Sequence, residues 1–62
     1  MPIIQVNWLQ GHSADVKRKY SAELTKTTCE CLGIAPEVVR IIFNDMPHDN
    51  YAAGGILFSD KK

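Results

Sequence analysis

Val38-Val39-Arg40-Ile41-Ile42-Phe43 is the stretch on which the fold turns. Four of its six residues are β-branched, a type that suits a pleated surface. It is apolar on both alternating faces, the mark of a strand covered on two sides. Asn44-Asp45-Met46-Pro47 is expected to end it. Upstream, Gly33 and Pro36 separate it from a different pattern. There Val16, Tyr20, Leu24, Thr28, Cys31 and Leu32 recur at three- and four-residue spacings, which predicts one apolar stripe on a helix of roughly five turns. Ser13 stands where an N-cap belongs, and Asp15 suits the positive end of the helix dipole. The third helical position would be Val16, so no full capping box forms. Further upstream, Ile3-Ile4-Gln5-Val6-Asn7-Trp8-Leu9 reads as a second strand. Ile4, Val6 and Trp8 share one face of it, while Ile3, Gln5, Asn7 and Leu9 share the other. Gln10-Gly11-His12 breaks that strand.

Beyond Pro47, His48-Asp49-Asn50 is turn material. Ala52-Ala53-Gly54-Gly55 is small and permissive and leads into Ile56-Leu57-Phe58, which predicts a short C-terminal hairpin. The expected architecture is α/β (α+β). A single β-α-β domain over residues 1–62 carries two parallel strands, joined through one long helix by a right-handed crossover. Two strands and one helix cannot cover both faces of the Val38–Phe43 run. A partner chain is expected to supply the missing layer.

Size leads to the same expectation. A chain of 62 residues buries only ~60% of its unfolded surface, so disulfides, a metal or self-association must support it. Cys29 and Cys31 are two apart on the expected helix and point about 200° from each other. They can neither bridge nor share one metal, and packing thiols are the expected reading. The chain is nonetheless 45% apolar, which suits a self-associating subunit. Reduced thiols and the lack of a targeting or membrane-spanning pattern predict a cytoplasmic protein with no membrane partner. Formal net charge is zero, which argues against nucleic acid, since phosphate binding needs a basic face. Lys17, Arg18 and Lys19 fan around the helix axis rather than forming a stripe, and Lys61 and Lys62 read as a solvated tail.

Arg40 is the most informative residue for chemistry. A guanidinium stays charged, so an arginine inside an apolar run needs an anion. That anion is either a substrate carboxylate gripped at two points, or a structural Asp or Glu; the third alternative is a side chain that snorkels off a sheet edge. Pro2 becomes a secondary amine if Met1 is removed. An α-amino group titrates at roughly 7.7–8.0, and apolar neighbours or a nearby cation lower that value. A base so poised suits proton transfer at carbon. The alternative is a proline that merely begins an edge strand. His12, between strand and helix, can bind an anion or donate a proton, or can simply be a solvated loop residue. Tyr51, among small residues, can reach a pocket or an interface, or only pack. Gly54-Gly55 lacks the strand-to-helix context of a phosphate loop.

In order along the chain stand Met1-Pro2-Ile3-Ile4-Gln5, Leu9-Gln10-Gly11-His12-Ser13, Val39-Arg40-Ile41-Ile42 with Met46, and Tyr51-Ala52-Ala53-Gly54-Gly55. Taken together they resemble the 4-oxalocrotonate tautomerase family over nearly the whole chain, and the length also matches. The resemblance implies a β-α-β monomer in a hexamer, a trimer of dimers, here a homohexamer. It implies Pro2 as general base, moving a proton between the hydroxyl and carbon positions of a small carboxylate enol to give the ketone, with no metal or cofactor. Arg40 matches the arginine that binds the substrate carboxylate and stabilises charge as the proton moves. Tyr51 stands in for an aromatic residue, usually phenylalanine, that lines the pocket, and Ile3 and Leu9 match apolar wall positions. Residues from neighbouring chains meet in such a site. His12 departs from the pattern, since the family usually has arginine there to hold the far carboxylate of a diacid. A small 2-hydroxy-dienoate or enol carboxylate, a monoacid rather than a diacid, or else a promiscuous range of small substrates, is therefore expected, with His12 contributing to binding. The other reading is a divergent, non-catalytic subunit of a tautomerase-like hexamer.

Overall fold

The computed structural model describes residues 1–61. Its order is β1 (Ile3–Leu9), α1 (Ala14–Leu32), β2 (Arg40–Met46), β3 (Ala52–Ala53) and β4 (Ile56–Leu57), with short 3-10 turns at Pro36–Val38, His48–Asn50 and Phe58–Asp60. β1 and β2 pair in parallel, from Ile3 opposite Arg40 to Leu9 opposite Met46. β3 and β4 form a separate antiparallel hairpin. The expected β-α-β unit with a C-terminal hairpin is thus the observed fold.

The helix begins and ends as its sequence directs. Ser13 is extended, and its hydroxyl accepts the Val16 N–H at 3.3 Å. Gly33 closes the other end at φ 66°, where a left-handed residue costs glycine least, and its N–H reaches Cys29 O at 2.8 Å. The hairpin turn uses Gly54 and Gly55, both at positive φ. A two-residue connection of that hand matches the twist of the flanking strands.

Two expectations are corrected. The second strand starts at Arg40 and runs through Asn44 and Asp45 to Met46. Pro36 favours a tight turn over Pro36–Val38 instead, and β1 holds Asn44 and Asp45 in register opposite Asn7 and Trp8. The helix also presents a different face to the sheet. Lys17, Ser21, Leu24, Thr25, Thr28 and Cys29 are half-buried, whereas Val16, Tyr20, Cys31 and Leu32 are exposed. The stripe read from hydropathy lies partly on the flank, because small and hydroxylated residues sit closest to the strands.

The sheet has one dressed face and one bare face. Ile4, Val6 and Trp8 from β1 meet Ile41 and Phe43 from β2 on the helix side, all half-buried. The bare face carries Ile3, 63% exposed, and Ile42, 50% exposed. Between them Asn7 Oδ1 accepts from Asn44 Nδ2 at 3.1 Å and from Gln5 Nε2 at 3.4 Å. Among the described residues none is buried. The radius of gyration is 14.9 Å, against about 11 Å for a compact domain of this length. Accessible surface is 4729 Å², against about 4,000 Å² for a compact monomer of this mass. The single chain is a flat piece, 13 Å across its thinnest axis.

Candidate active site

The parallel ladder brings two of the sequence candidates together. The Arg40 N–H donates to Pro2 O at 3.1 Å, just ahead of the Ile3–Arg40 pair. Pro2, Ile3 and Arg40 therefore share one end of the sheet. Pro2 is half-buried, whereas Ile3 and Arg40 are exposed. Arg40 does not sit inside a covered run, as the sequence suggested, but at the first position of β2. Its guanidinium donates from Nη1 to the carbonyl of Glu37. Among the described residues no carboxylate pairs with it. A guanidinium has five N–H donors, so most of its capacity faces outward.

Leu9, His12 and Tyr51 lie elsewhere in the same chain. Leu9 closes β1 opposite Met46. Six residue steps at ~3.3 Å put it about 20 Å from Ile3. His12 follows, and its ring lies over Trp8 at 3.9 Å between centroids and 26° between planes. Tyr51 stands past the far end of β2, where Phe58 donates its N–H to Tyr51 O at 2.8 Å and the two rings meet edge-on at 6.4 Å. His48 meets the same Phe58 ring at 5.2 Å. The C-terminal arm packs chiefly on itself.

The far end of the sheet is held by residues that the sequence reading did not group. Trp8 stacks on Phe43 at 5.2 Å and on Tyr20 at 5.7 Å. Its indole Nε1–H donates to Asp45 Oδ1 at 2.5 Å, and Asp45 Oδ2 takes the Lys17 ammonium. Those bonds from Lys17 and then Trp8 hold the Asp45 carboxyl below its ordinary value of 3.8 and outweigh the desolvation that opposes them; the Lys17 charge and His12 act in the same direction. Trp8 and Asp45 are 37 residues apart, and only their register as a cross-strand pair could have joined them. Beside this cluster a cavity of about 470 Å³ opens between Trp8, His12, Val16, Lys19, Tyr20 and Glu23. It is separate from Pro2 and Arg40. Among the described residues no cluster of His, Cys, Asp and Glu is arranged to hold a metal, and no helix is long and apolar enough to cross a membrane.

A family model described as "Tautomerase enzyme" matches residues 2–61. The chain belongs to the tautomerase family. A probable tautomerase of Ralstonia nicotianae is 30% identical over 61 residues, which are 98% of this chain and 94% of that relative. A crystal structure of a 4-oxalocrotonate tautomerase homologue superposes with a TM-score of 0.93 at 39% identity, covering 100% of this chain and 98% of the other. YwhB, another homologue of 4-oxalocrotonate tautomerase, gives 0.91 at 28% identity, with 98% and 100% covered. The likeness to 4-oxalocrotonate tautomerase read from the motifs is borne out. Membership in the tautomerase family supports an activity of the isomerase class.

Proposed function

We propose that this tautomerase-family chain ketonises a small monocarboxylate enol, with the Pro2 amine as base. The reading rests on Met1 being removed, since while it is attached the Pro2 nitrogen is a tertiary amide without a free lone pair. Once free, that nitrogen takes the enol hydroxyl proton and returns a proton to carbon. Arg40 grips the carboxylate and offsets the negative charge that grows as the proton moves. The observation that carries the reading is the Arg40 N–H to Pro2 O bond at 3.1 Å, which sets the two residues side by side at one end of the sheet. A nearby cation disfavours protonation of the amine, so more of it is available as base.

Enclosure is the missing part. Ile3 is 63% exposed, and the other candidate wall residues, Leu9, Tyr51 and His12, sit toward the far end of the sheet. A homohexamer brings such ends together, so that chains share each site. The bare sheet face and the absence of any buried residue among those described support this assembly. His12 has a shorter reach than an arginine, which favours a monoacid over a diacid.

The test is the ketonisation rate of phenylenolpyruvate for the natural protein and for Pro2→Ala, with an intact mass to show Met1 loss. The expected outcome is a rate that disappears in the variant. An equal rate in both proteins overturns the reading. A second reading, a non-catalytic subunit, draws on one observation: His12 is engaged with Trp8 of its own chain. A folded, Met1-free assembly without turnover of this or a diacid enol would favour it.

A further inference from the structure

The far end of the sheet holds a continuous chain of contacts that no catalytic role has yet absorbed. Lys17 on α1 pairs with Asp45 on β2. Asp45 accepts the Trp8 indole N–H at 2.5 Å. Trp8 on β1 carries the His12 ring at 3.9 Å. Four residues from three elements and one loop thus meet in series. Phe43 and Tyr20 stack on the indole and limit its tilt, while a bond to its one polar atom fixes its rotation in the plane of the stack. Here the holder is a carboxylate, and charge-assisted bonds are the stronger kind. The indole plane in turn decides where a ring stacked on it must lie. His12 follows Gly11 in a connection with no strand or helix to hold it, and no side-chain hydrogen bond fixes it among the described residues. Its place is set by the stack.

We propose that Asp45 is the positioning residue for His12, acting through Trp8, and that this relay holds the imidazole where it meets the part of the substrate remote from its reacting carbon. The inference rests on the reading of His12 as a substrate contact. Asp45 touches no substrate itself. The charged and titratable groups around His12 are Asp45 from β2 and Lys17, Lys19, Tyr20 and Glu23 from α1. Of these, Asp45 alone bonds to the ring that His12 lies on.

Two measurements test it. The first reads the stack without any turnover. Trp8 is the single tryptophan, and a protonated imidazole against an indole quenches its emission. Emission of the natural protein should fall as pH drops through the histidine range, and His12→Gln should abolish that change. Asp45→Ala should lose at least about half of its amplitude, because an indole held only by Phe43 and Tyr20 can swivel away from the His12 ring. Asp45→Asn keeps an oxygen for the indole N–H and should restore most of it. An unchanged amplitude in Asp45→Ala, in a folded protein, overturns the proposal.

The second measurement is kinetic, on phenylenolpyruvate. Asp45→Ala should raise KM by about threefold to tenfold, the scale of one lost aromatic contact, with kcat within about twofold. His12→Ala should do the same, and the double variant should raise KM no further than either alone, since the two residues act as one unit. Additive effects, or a fall in kcat at constant KM, overturn the relay. Failure of the Pro2 reading appears separately, as activity that survives Pro2→Ala.

Discussion

The two ends of the β1–β2 sheet differ in what they have and what they lack. One end has the proposed chemistry. Pro2 and Arg40 are joined there by a ladder bond, but Ile3 beside them is mostly exposed. The other end has the order. Trp8, Phe43, Tyr20 and His12 stack there, and Asp45 ties the cluster to the helix through Lys17. About 20 Å of strand separates the two. A small enol spans only a fraction of that distance, so a single copy cannot use both ends on one molecule. The contrast teaches that the two strand ends differ in kind: Pro2 and Arg40, the proposed reactive groups, stand at the entry of β1 and β2, and stacked aromatic rings at their exit.

The contrast breaks most visibly at Pro2. Pro2→Ala should remove the proposed general-base contribution of ~10²–10⁴ in rate while circular dichroism stays unchanged. Arg40→Ala should lower kcat/KM by about 10²–10³. Arg40→Lys should recover only part, since an ammonium cannot grip a carboxylate at two points. Either loss with the fold intact would mark the entry end as chemical and not structural. A collapsed fold would erase the distinction.

Trp8→Ala should act in the opposite sense. It removes the ring that three others lean on, and a cost of about 2–3 kcal/mol is expected, below the ~3–5 of a fully buried tryptophan. Thermal or urea unfolding would read it. A rate loss larger than the stability loss explains would show that the supporting end also enters the chemistry.

The smallest expected effect concerns acid. Asp45 titrates below its ordinary value in the folded chain. Its charged form is therefore favoured by folding. The stabilisation is complete above the ordinary value and fades as pH falls through the lowered one. The natural protein should out-melt Asp45→Asn at neutral pH, and the gap should close as pH falls below the ordinary value of 3.8. A gap that widens on acidification would contradict the Lys17–Asp45–Trp8 bonding.

Much of this was legible from residue order. Alternation in Ile3–Leu9, the cap at Ser13 and the stop at Gly33 each express a local rule, and each appears in the structure. The start of β2 was misplaced because Val38 and Val39 look like strand to any hydropathy pattern, while the turn that Pro36 opens takes up Val38 and leaves Val39 as its cap. The helix stripe was rotated because Ser21 and Thr25 carry no apolar signal yet are half-buried; Thr28, which the stripe did include, is half-buried too and returns its hydroxyl to Leu24 O at 2.7 Å. Pro2 and Arg40 stood out singly through unusual chemistry, but their adjacency needed the parallel register. The Trp8–Asp45–Lys17 cluster was invisible for the same reason, since its members are ordinary residues made significant only by pairing.

No described side chain is buried in the single copy, and this has a consequence for how the protein behaves at different abundances. Where the apolar interior forms only between copies, folding free energy becomes a mass-action quantity. The unfolding midpoint should climb as total protein is raised and sink on dilution. Scarcity alone would then silence the molecule, without any inhibitor, once its concentration fell below that at which the copies find one another.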